Sequence, residues 1–234
     1  MGKNIIQQAR GKGSLRYRSP SFRFKGKVAL PPRGVTEGRV RDILDCPGHH
    51  APLMHVEYPD GRASLMVAPE GIMVGAMIYS NPEMIERGHV LSLADIPTGV
   101  PVYNIESKPG DGGKFCRTSG TAAKIVAKHE DRIIVQLPSK KNRSFHPHCR
   151  ANIGVVAGAG RPEKPFIKAG KKHFQMKAKN KLYPRSSACA MNAVDHPYGN
   201  KRSSRKAKQK PVNRFAPPGA KVGKLWPKRT GKRK

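Results

Sequence analysis

Between residues 38 and 93, short apolar runs alternate with turn-forming residues. The runs at 53–58 and 65–68 flank the sequence Pro-Asp-Gly-Arg, whose glycine can adopt the positive φ of a tight hairpin turn. Proline or glycine interrupts almost every window of ten residues, which disfavours helices. We therefore expect a small barrel or sandwich. The predicted strands cover residues 40–44, 53–58, 65–68, 72–79 and 90–93.

A second group of apolar runs begins near residue 100. Its hairpin turn is predicted at the His-Glu-Asp sequence of residues 129–131. Two short-stranded barrels fit this pattern, with a boundary between about residues 86 and 101. The predicted strands of the second group cover residues 102–106, 123–128, 132–137 and 152–157. The predicted segments are an N-terminal extension (1–36), a first barrel (37–88), a second barrel (89–163) and a C-terminal extension (164–234).

Charge is distributed unevenly along the 234 residues. The chain has 46 Lys and Arg against 15 Asp and Glu, a formal net charge of +31. Residues 1–36 contain nine Lys or Arg and no acid, residues 37–163 contain fifteen against fourteen acids, and residues 164–234 contain 22 against one. A free globular protein of this charge would repel itself, so we expect a polyanionic partner. The extensions, poor in apolar residues, should be largely disordered alone.

Motifs typical of enzymes, membrane proteins and exported proteins are absent from the sequence. There is no Gly-x-Ser-x-Gly, no Walker A sequence and no His-Glu-x-x-His. The longest stretch without a charged residue covers residues 71–82, which is too short to cross a bilayer. We therefore expect a cytoplasmic protein that is not an enzyme.

Two clusters of cysteine and histidine are candidates for a metal site. Cys46 and His49 have the spacing Cys-x-x-His, and His146, His148 and Cys149 form the second cluster. Four ligands from these clusters could hold zinc in a tetrahedral site. The alternative is that both clusters form turns, each stiffened by a proline. Because no Cys-x-x-Cys sequence anchors a site, we expect no metal and no other cofactor of the protein itself.

Nucleic acid is the polyanion that the basic segments predict. The glycine-rich loop at 110–114 is a candidate phosphate cradle through its backbone N–H groups, and the alternative is an ordinary mobile loop. Aromatic residues in the N-terminal extension, Tyr17, Phe22 and Phe24, are available for stacking or packing. The predicted binding residues are Arg10, Lys12, Arg16, Tyr17, Arg18, Arg23, Lys25, Lys114, Arg117, Arg161, Lys164, Lys171, Lys172, Lys177, Lys179, Arg185, Lys201, Arg202, Arg205 and Lys206.

One non-basic island, residues 188–199, interrupts the C-terminal extension and holds its only acid, Asp195. Asp195 next to His196 could suggest an acid–base pair. Neighbours in sequence rarely face one another, however, and no nucleophile is evident. We favour a docking loop in which Asp195 holds backbone donors or a nucleotide and Pro197 fixes the chain.

The island also carries a family resemblance. Residues 190–197, Ala-Met-Asn-Ala-Val-Asp-His-Pro, resemble the segment A-M-N-P-V-D-H-P-H-G-G-G of universal large-subunit ribosomal protein two. Residues 154–165 resemble the family pattern G-x-x-A-G-x-G-R-x-x-K-P, and residues 110–121 resemble its P-G-x-G-x-K-L-x-R-A-A-G-T stretch. The resemblance extends over essentially the whole chain. The short N-terminal extension and the Ala-Pro-Leu sequence at 51–53 resemble the archaeal and eukaryotic branch, most of all the archaeal one.

The resemblance implies an OB-fold followed by an SH3-like barrel, with both extensions in ribosomal RNA. It also implies roles in subunit association and in supporting the peptidyl-transferase region, where RNA does the chemistry. The implied partners are large-subunit RNA with its magnesium or potassium ions, other ribosomal proteins and the small subunit at a bridge, with no membrane and no homo-oligomer. The loop near the peptidyl-transferase region would comprise Met191, Asn192, Val194, Asp195, His196 and Pro197.

The island and the two residues after it depart from the family pattern at four positions. Ala193 replaces proline, Tyr198 replaces a second histidine, and Asn200 and Lys201 replace glycines. His196 is therefore the only histidine of this loop. Two alternatives to a ribosomal protein are a DNA-compacting chromatin protein and a metal-dependent enzyme that uses the second His/Cys cluster. The absence of an internal repeat argues against the first, and elemental analysis that finds no stoichiometric metal in the purified protein would exclude the second.

Overall fold

A computed structural model describes residues 3–200 and 212–223. The chain divides into two compact units. We call Ser21–Phe166 the β unit. We call Met1–Pro20 together with Ile167–Lys234 the cationic unit. The two units are described separately below.

The first sheet of the β unit has four antiparallel strands in the order β3-β2-β1-β4. Leu53 and Met54 of β2 point to opposite faces and are both buried, because a separate apolar cluster covers each face. A bulge between Val40 and Asp42 shifts the pairing of the first strand with the second. The strands are β1 (Glu37–Leu44), β2 (Leu53–Glu57), β3 (Ala63–Val67) and β4 (Met77–Tyr79).

The second sheet of the β unit has six strands in the order β5-β10-β6-β7-β8-β9, and all of its pairings are antiparallel. Its core is aliphatic and includes Ile125, Ile133 and Val135, each at most 2% exposed. The strands are β5 (Val90–Ser92), β6 (Pro101–Tyr103), β7 (Ala123–Lys128), β8 (Ile133–Gln136), β9 (Asn142–Phe145) and β10 (Arg150–Ile153).

A third apolar cluster joins the two sheets of the β unit. Tyr103 of β6 is fully buried in it, and its hydroxyl donates a hydrogen bond to the Val67 carbonyl of β3 at 3.1 Å. A bridge between Pro69 and Val156 links the same two regions. The two sheets therefore share part of their hydrophobic core.

The predicted fold class, mainly β with two small antiparallel sheets, is confirmed. Three strand predictions were wrong in detail. Of residues 72–79 only Met77–Tyr79 form a strand, the strand expected at 152–157 is Arg150–Ile153, and β9 was not predicted. Three of the four residues of β9 are exposed at the sheet edge, so it has no apolar alternation to reveal it. The four segment boundaries stay a prediction.

Parts of both extensions adopt regular structure. In the N-terminal extension, Val28 and Leu30 are buried, and Val28 pairs with Leu65 of β3. The cationic unit contains helix α1 (Ile6–Gly11), helix α2 (Ala169–Ala178) and 3₁₀ turns at Leu15–Tyr17 and Ala188–Ala190. No residue of α1 or α2 is buried, which explains why no hydrophobic stripe indicates these helices in the sequence.

Candidate nucleic-acid interface

The glycine-rich loop after β6 is organised by two carboxylates. Glu106 is fully buried and accepts hydrogen bonds from the N–H groups of Gly110 (3.1 Å) and Gly112 (3.3 Å). Asp111 accepts from Ser107 (3.0 Å), and also from the N–H groups of Lys108 and Gly113. The amides of Asp111 and Lys114 bond to backbone carbonyls.

Every backbone N–H from residue 107 to 114 is therefore already bonded within the protein, since residue 109 is proline. The predicted phosphate cradle of backbone N–H groups is wrong for this reason. The internal carboxylates take the place that an anion would occupy. The loop instead acts as a folded platform for the side chains on it.

Electrostatics inside the loop favour the ionised form of Asp111. Burial by itself would raise the pKa of this carboxyl, but hydrogen bonds from Gly113, Lys108 and Lys114 outweigh burial and lower the pKa. The Lys114 ammonium lies 3.2 Å from the Asp111 carboxylate and is largely exposed. Lys114 can therefore contact a phosphate while remaining tied to the loop.

Arg117 was predicted to bind nucleic acid, and the structure gives it an internal bond. Its guanidinium donates to the Gly113 carbonyl at 3.0 Å, and partial burial lowers its pKa. Arg161 similarly donates to the Ser119 hydroxyl at 2.8 Å, but it stays exposed. Lys164 is exposed as well.

Arg150 was not predicted from the sequence. Its guanidinium donates to Glu106 at 3.2 Å and to the Pro31 carbonyl at 2.8 Å, and its backbone N–H donates to Glu106 at 2.9 Å. The Arg150 side chain is 13% exposed and that of Glu106 is 0% exposed. This buried ion pair connects β10, the glycine-rich loop and the N-terminal segment. No local motif marks it.

The aromatic residues near the N-terminus of the β unit divide between stacking and packing. Phe22 is 83% exposed, and the Arg23 guanidinium lies 5.4 Å from its ring centre. Phe24 packs against the cluster that joins the sheets, and the Lys25 backbone N–H lies 3.5 Å from the Cys46 sulfur. Only Phe22 of the two phenylalanines is thus open to a base.

The five metal candidates all lie in the β unit, and they make ordinary internal contacts. The His49 ring lies 3.2 Å from the buried Cys46 sulfur, and the His146 ring accepts from the His148 N–H at 3.2 Å. Burial raises the pKa of the Cys149 thiol, which disfavours the thiolate a metal needs. Within the described part of the chain, no three His, Cys, Asp or Glu side chains gather where one ion could bind.

In the cationic unit, Asn180 connects residues that are far apart in sequence. The two N–H bonds of its side-chain amide are shared among three backbone carbonyls, those of Leu15 (3.2 Å), Arg16 (2.8 Å) and Arg18 (2.7 Å). Asn180 follows α2 with a left-handed φ of 50°, a conformation that asparagine tolerates well after a helix. No motif in the sequence marks this residue.

Asn180 helps to form what we call the Tyr17 recess, a concave surface of about 390 Å³. Three of the predicted binding residues meet there, Arg16, Tyr17 and Lys177. Cations beside a half-buried aromatic ring such as that of Tyr17 suit phosphate contact with base stacking. The other residues that line the Tyr17 recess are His173, Asn180, Lys181, Leu182 and Tyr183.

The remaining predicted cations of the cationic unit lie elsewhere. Lys12, Arg18 and Lys171 are surface residues outside the Tyr17 recess, and so are Lys172 and Lys179. The last four predicted residues, Lys201, Arg202, Arg205 and Lys206, lie outside the described residues.

The island forms a compact series of turns. The Asn192 carbonyl accepts from the amides of Asp195 (3.0 Å) and His196 (3.2 Å), and Asn200 donates to the Met191 carbonyl at 2.9 Å. Gly199 lies against the Asn192 carbonyl so closely that a Cβ would clash. These contacts determine the path of the loop.

Within the island, the two residues of the suspected acid–base pair have different surroundings. His196 accepts the Tyr198 N–H on Nδ1 at 3.0 Å, and its ring packs edge-on against the Tyr198 ring. Asp195 is exposed, and its carboxylate bonds to none of the described residues. The expectation that Asp195 holds backbone donors is therefore not met among these residues.

Asp195 and His196 line a second concave surface, the Asp195 recess, of about 340 Å³. Two predicted cations, Arg10 and Arg185, line it as well, together with Met191. The other residues that line the Asp195 recess are Ile5, Ile6, Gln7, Leu182, Pro184, Ser186, Lys221 and Val222.

These observations define a basic, mainly β protein with a strongly cationic second unit. Among residues 3–200 and 212–223, no helix has the length and apolar character that a membrane crossing requires. The family model described as Ribosomal Proteins L2, C-terminal domain, matches residues 86–216. That match is consistent with the predicted barrel folds.

Curated relatives match over the full chain. The large ribosomal subunit protein uL2 of Archaeoglobus fulgidus is 47% identical over 237 residues, with 100% of both chains covered. That of Methanothermobacter thermautotrophicus is 44% identical over 241 residues, again with complete coverage. That of Natronomonas pharaonis is 47% identical and covers 99% of this chain. The chain therefore belongs to the ribosomal protein L2 family and is of the archaeal type. Family membership confirms the predicted resemblance and excludes the enzyme alternative.

Proposed function

We propose that the chain is a component of the large subunit of the cytoplasmic ribosome and that it binds ribosomal RNA mainly through the cationic unit. The separation of charge is the observation that carries this proposal. The cationic unit contains 26 Lys and Arg with one acid, whereas the β unit contains 20 with fourteen acids. Two relatives that match over the full length of both chains are named as large ribosomal subunit proteins. Their names support the proposed place of this chain in the large subunit.

Binding would depend on the exchange of counterions for side chains. Each Lys or Arg that neutralises a phosphate releases condensed ions, so affinity falls steeply as salt rises. The Tyr17 recess supplies cations next to an aromatic ring, and the glycine-rich loop supplies Lys114 on a rigid support. The β unit would then provide a folded surface that is complementary in shape to RNA, and the cationic unit would provide most of the electrostatic attraction.

The island is proposed to lie near the peptidyl-transferase region and to support it, and the chain to assist subunit association at a bridge to the small subunit. The resemblance of residues 190–197 to the family segment supports this role. Its compact turn structure suits a loop that fits one particular place in RNA. The proposed partners are large-subunit RNA with its bound magnesium or potassium ions, and neighbouring ribosomal proteins. The reaction itself would belong to RNA, with no cofactor held by this chain.

Sedimentation of a cell extract tests the proposal. At low salt the protein should sediment with large ribosomal subunits, and at high salt part of it should be released. A protein that stays at the top of the gradient at low salt would contradict the proposed assembly.

The role of the island needs a separate measurement. Subunits that carry Asp195→Ala with His196→Ala should join small subunits or form peptide bonds more slowly than subunits that carry Lys171→Ala with Lys172→Ala. Equal effects of the two double variants would show that the two island residues contribute no more than two surface lysines do.

A further inference from the structure

The Asp195 recess places among cations an acid that bonds to none of the described residues. Arg10, Arg185 and Lys221 line the same recess, yet none of them forms an ion pair with Asp195. In a unit with 26 basic residues and this single acid, electrostatics alone would favour such a pair. Within residues 3–200 and 212–223, the Asp195 carboxylate is therefore an acceptor without a bonded partner.

His196 supplies a donor next to this acceptor. Because Nδ1 of its ring accepts the Tyr198 N–H, the neutral ring must carry its proton on Nε2. The recess thus combines the two carboxylate oxygens of Asp195, both acceptors, with one N–H donor of His196.

The walls of the Asp195 recess are largely apolar. Ile5, Leu182, Pro184, Met191 and Val222 face the space. Its volume of about 340 Å³ lies at the lower end of the range for small-ligand sites, roughly 300–1,000 Å³. Apolar walls with a few polar groups suit a flat, unstacked base, and the rim cations suit the phosphates on either side of it.

We propose that the Asp195 recess binds an unstacked guanine of RNA, an inference that rests on the proposed function. The Watson–Crick edge of guanine presents two adjacent donors, N1–H and N2–H, followed by the acceptor O6. A carboxylate accepts both donors, and an imidazole N–H can donate to O6. Adenine and cytosine each present one donor with a ring acceptor, which a carboxylate would repel. Uracil presents a single donor between two acceptors.

Chemical probing of assembled large subunits tests this proposal. A 1,2-dicarbonyl reagent such as kethoxal adds across N1 and N2 of guanines whose Watson–Crick edge is free. We expect one guanine to be protected in wild-type subunits and to become reactive, by roughly tenfold, in subunits with Asp195→Asn. The matched control is Asp131→Asn, an exposed acid in the β7–β8 turn, which should expose no guanine.

The possible outcomes separate this proposal from the proposed function. If Asp195→Asn subunits assemble normally and no guanine gains reactivity, the guanine proposal is overturned, while membership of the subunit stands. If the protein does not sediment with subunits at all, the proposed function fails first.

A second experiment uses the full-length protein with short RNAs. The heptamer UUUGUUU should bind about tenfold tighter than UUUAUUU at fixed salt, and inosine in place of guanine should bind at an intermediate level because it lacks the N2 amino group. Asp195→Asn should remove the difference without a comparable loss for UUUAUUU. If Asp195→Asn weakens all three RNAs equally, and only when magnesium is present, then Asp195 holds a cation and the guanine proposal is wrong.

Discussion

At the scale of single residues, the buried Glu106 carboxylate accepts four hydrogen bonds. It accepts from two loop amides, from the Arg150 amide and from the Arg150 guanidinium. A buried carboxylate without such donors would be strongly destabilising. The loop and the ion pair therefore depend on each other for stability.

Replacing Glu106 with Gln should lower the free energy of unfolding by about 3–5 kcal/mol, because the neutral amide leaves the Arg150 guanidinium buried without its counter-charge. The matched control is Glu57→Gln, which breaks the exposed pair between Glu57 and Arg41 and should cost at most about 1 kcal/mol. Chemical denaturation of the full-length variants measures both changes. Similar losses for the two variants would contradict a special role for Glu106.

A second prediction at this scale concerns the acid side of the pH range. The folded-state pKa of Asp111 lies below its ordinary value, so the stability it contributes is present above the ordinary Asp pKa of about 4. That contribution is lost as the pH falls through the folded-state pKa. We expect wild-type stability to fall more steeply than that of Asp111→Asn below about pH 4. Denaturation curves of both proteins, measured between pH 3 and 7, give the free energy of unfolding at each pH. The same change of this free energy with pH in the two proteins would contradict the prediction.

At the scale of elements, the turn at Leu15–Tyr17 and helix α2 are joined through Asn180. No residue of the turn or of the helix is buried, so hydrophobic burial contributes little to holding them together. Instead, the turn is held to the helix by the hydrogen bonds of the Asn180 side chain and by the left-handed backbone after α2. This connection shapes the Tyr17 recess.

Two substitutions at Asn180 should separate its roles. Asn180→Gly keeps a residue that favours positive φ, so α2 should end as before while the backbone of residues 14–18 loosens. Asn180→Ala should weaken both features, because alanine disfavours this conformation.

Amide hydrogen exchange measures both effects of the Asn180 variants. The amides of Tyr17 and Arg18 should exchange roughly tenfold faster in both variants, which corresponds to about 1.4 kcal/mol of lost protection. Only the alanine variant should also speed exchange at the end of α2. Unchanged exchange at residues 17 and 18 would show that the three hydrogen bonds do not hold the turn.

At the scale of the whole molecule, most of the net positive charge belongs to the cationic unit, and little of it belongs to the β unit with its two sheets. The β unit has a formal charge of +6 and the cationic unit +25. The extensions carry much of this cationic charge, as the sequence analysis indicated, although residues 21–36 fold with the sheets. We expect the salt dependence of RNA binding to follow the same division.

Replacing Lys177 and Lys181 by Gln should reduce the slope of log K against log salt by about 1.4, if each lysine neutralises one phosphate of single-stranded RNA. The control pair is Lys140 and Lys141, exposed in the β8–β9 turn, and it should change the slope much less. Filter binding of large-subunit RNA across a range of salt concentrations supplies the slopes. A larger effect of the control pair would reverse the assignment of the binding surface.

The mainly β fold class, most strand positions, the distribution of charge and the family are all readable from the amino-acid sequence. These properties are local, because alternation, turn residues and charge runs can be counted along the chain. The partners of the loop amides, the residues that Asn180 connects and the cations that meet in one recess depend on the folded chain. Glu106 and Arg150 are 44 residues apart, and Asn180 and Leu15 are 165 apart. Contacts of that separation depend on the folded path of the whole chain. The sequence marks Asp195 as the lone acid of its extension. Only the folded chain shows that Asp195 lines a recess and that His196 supplies a hydrogen-bond donor in the same recess.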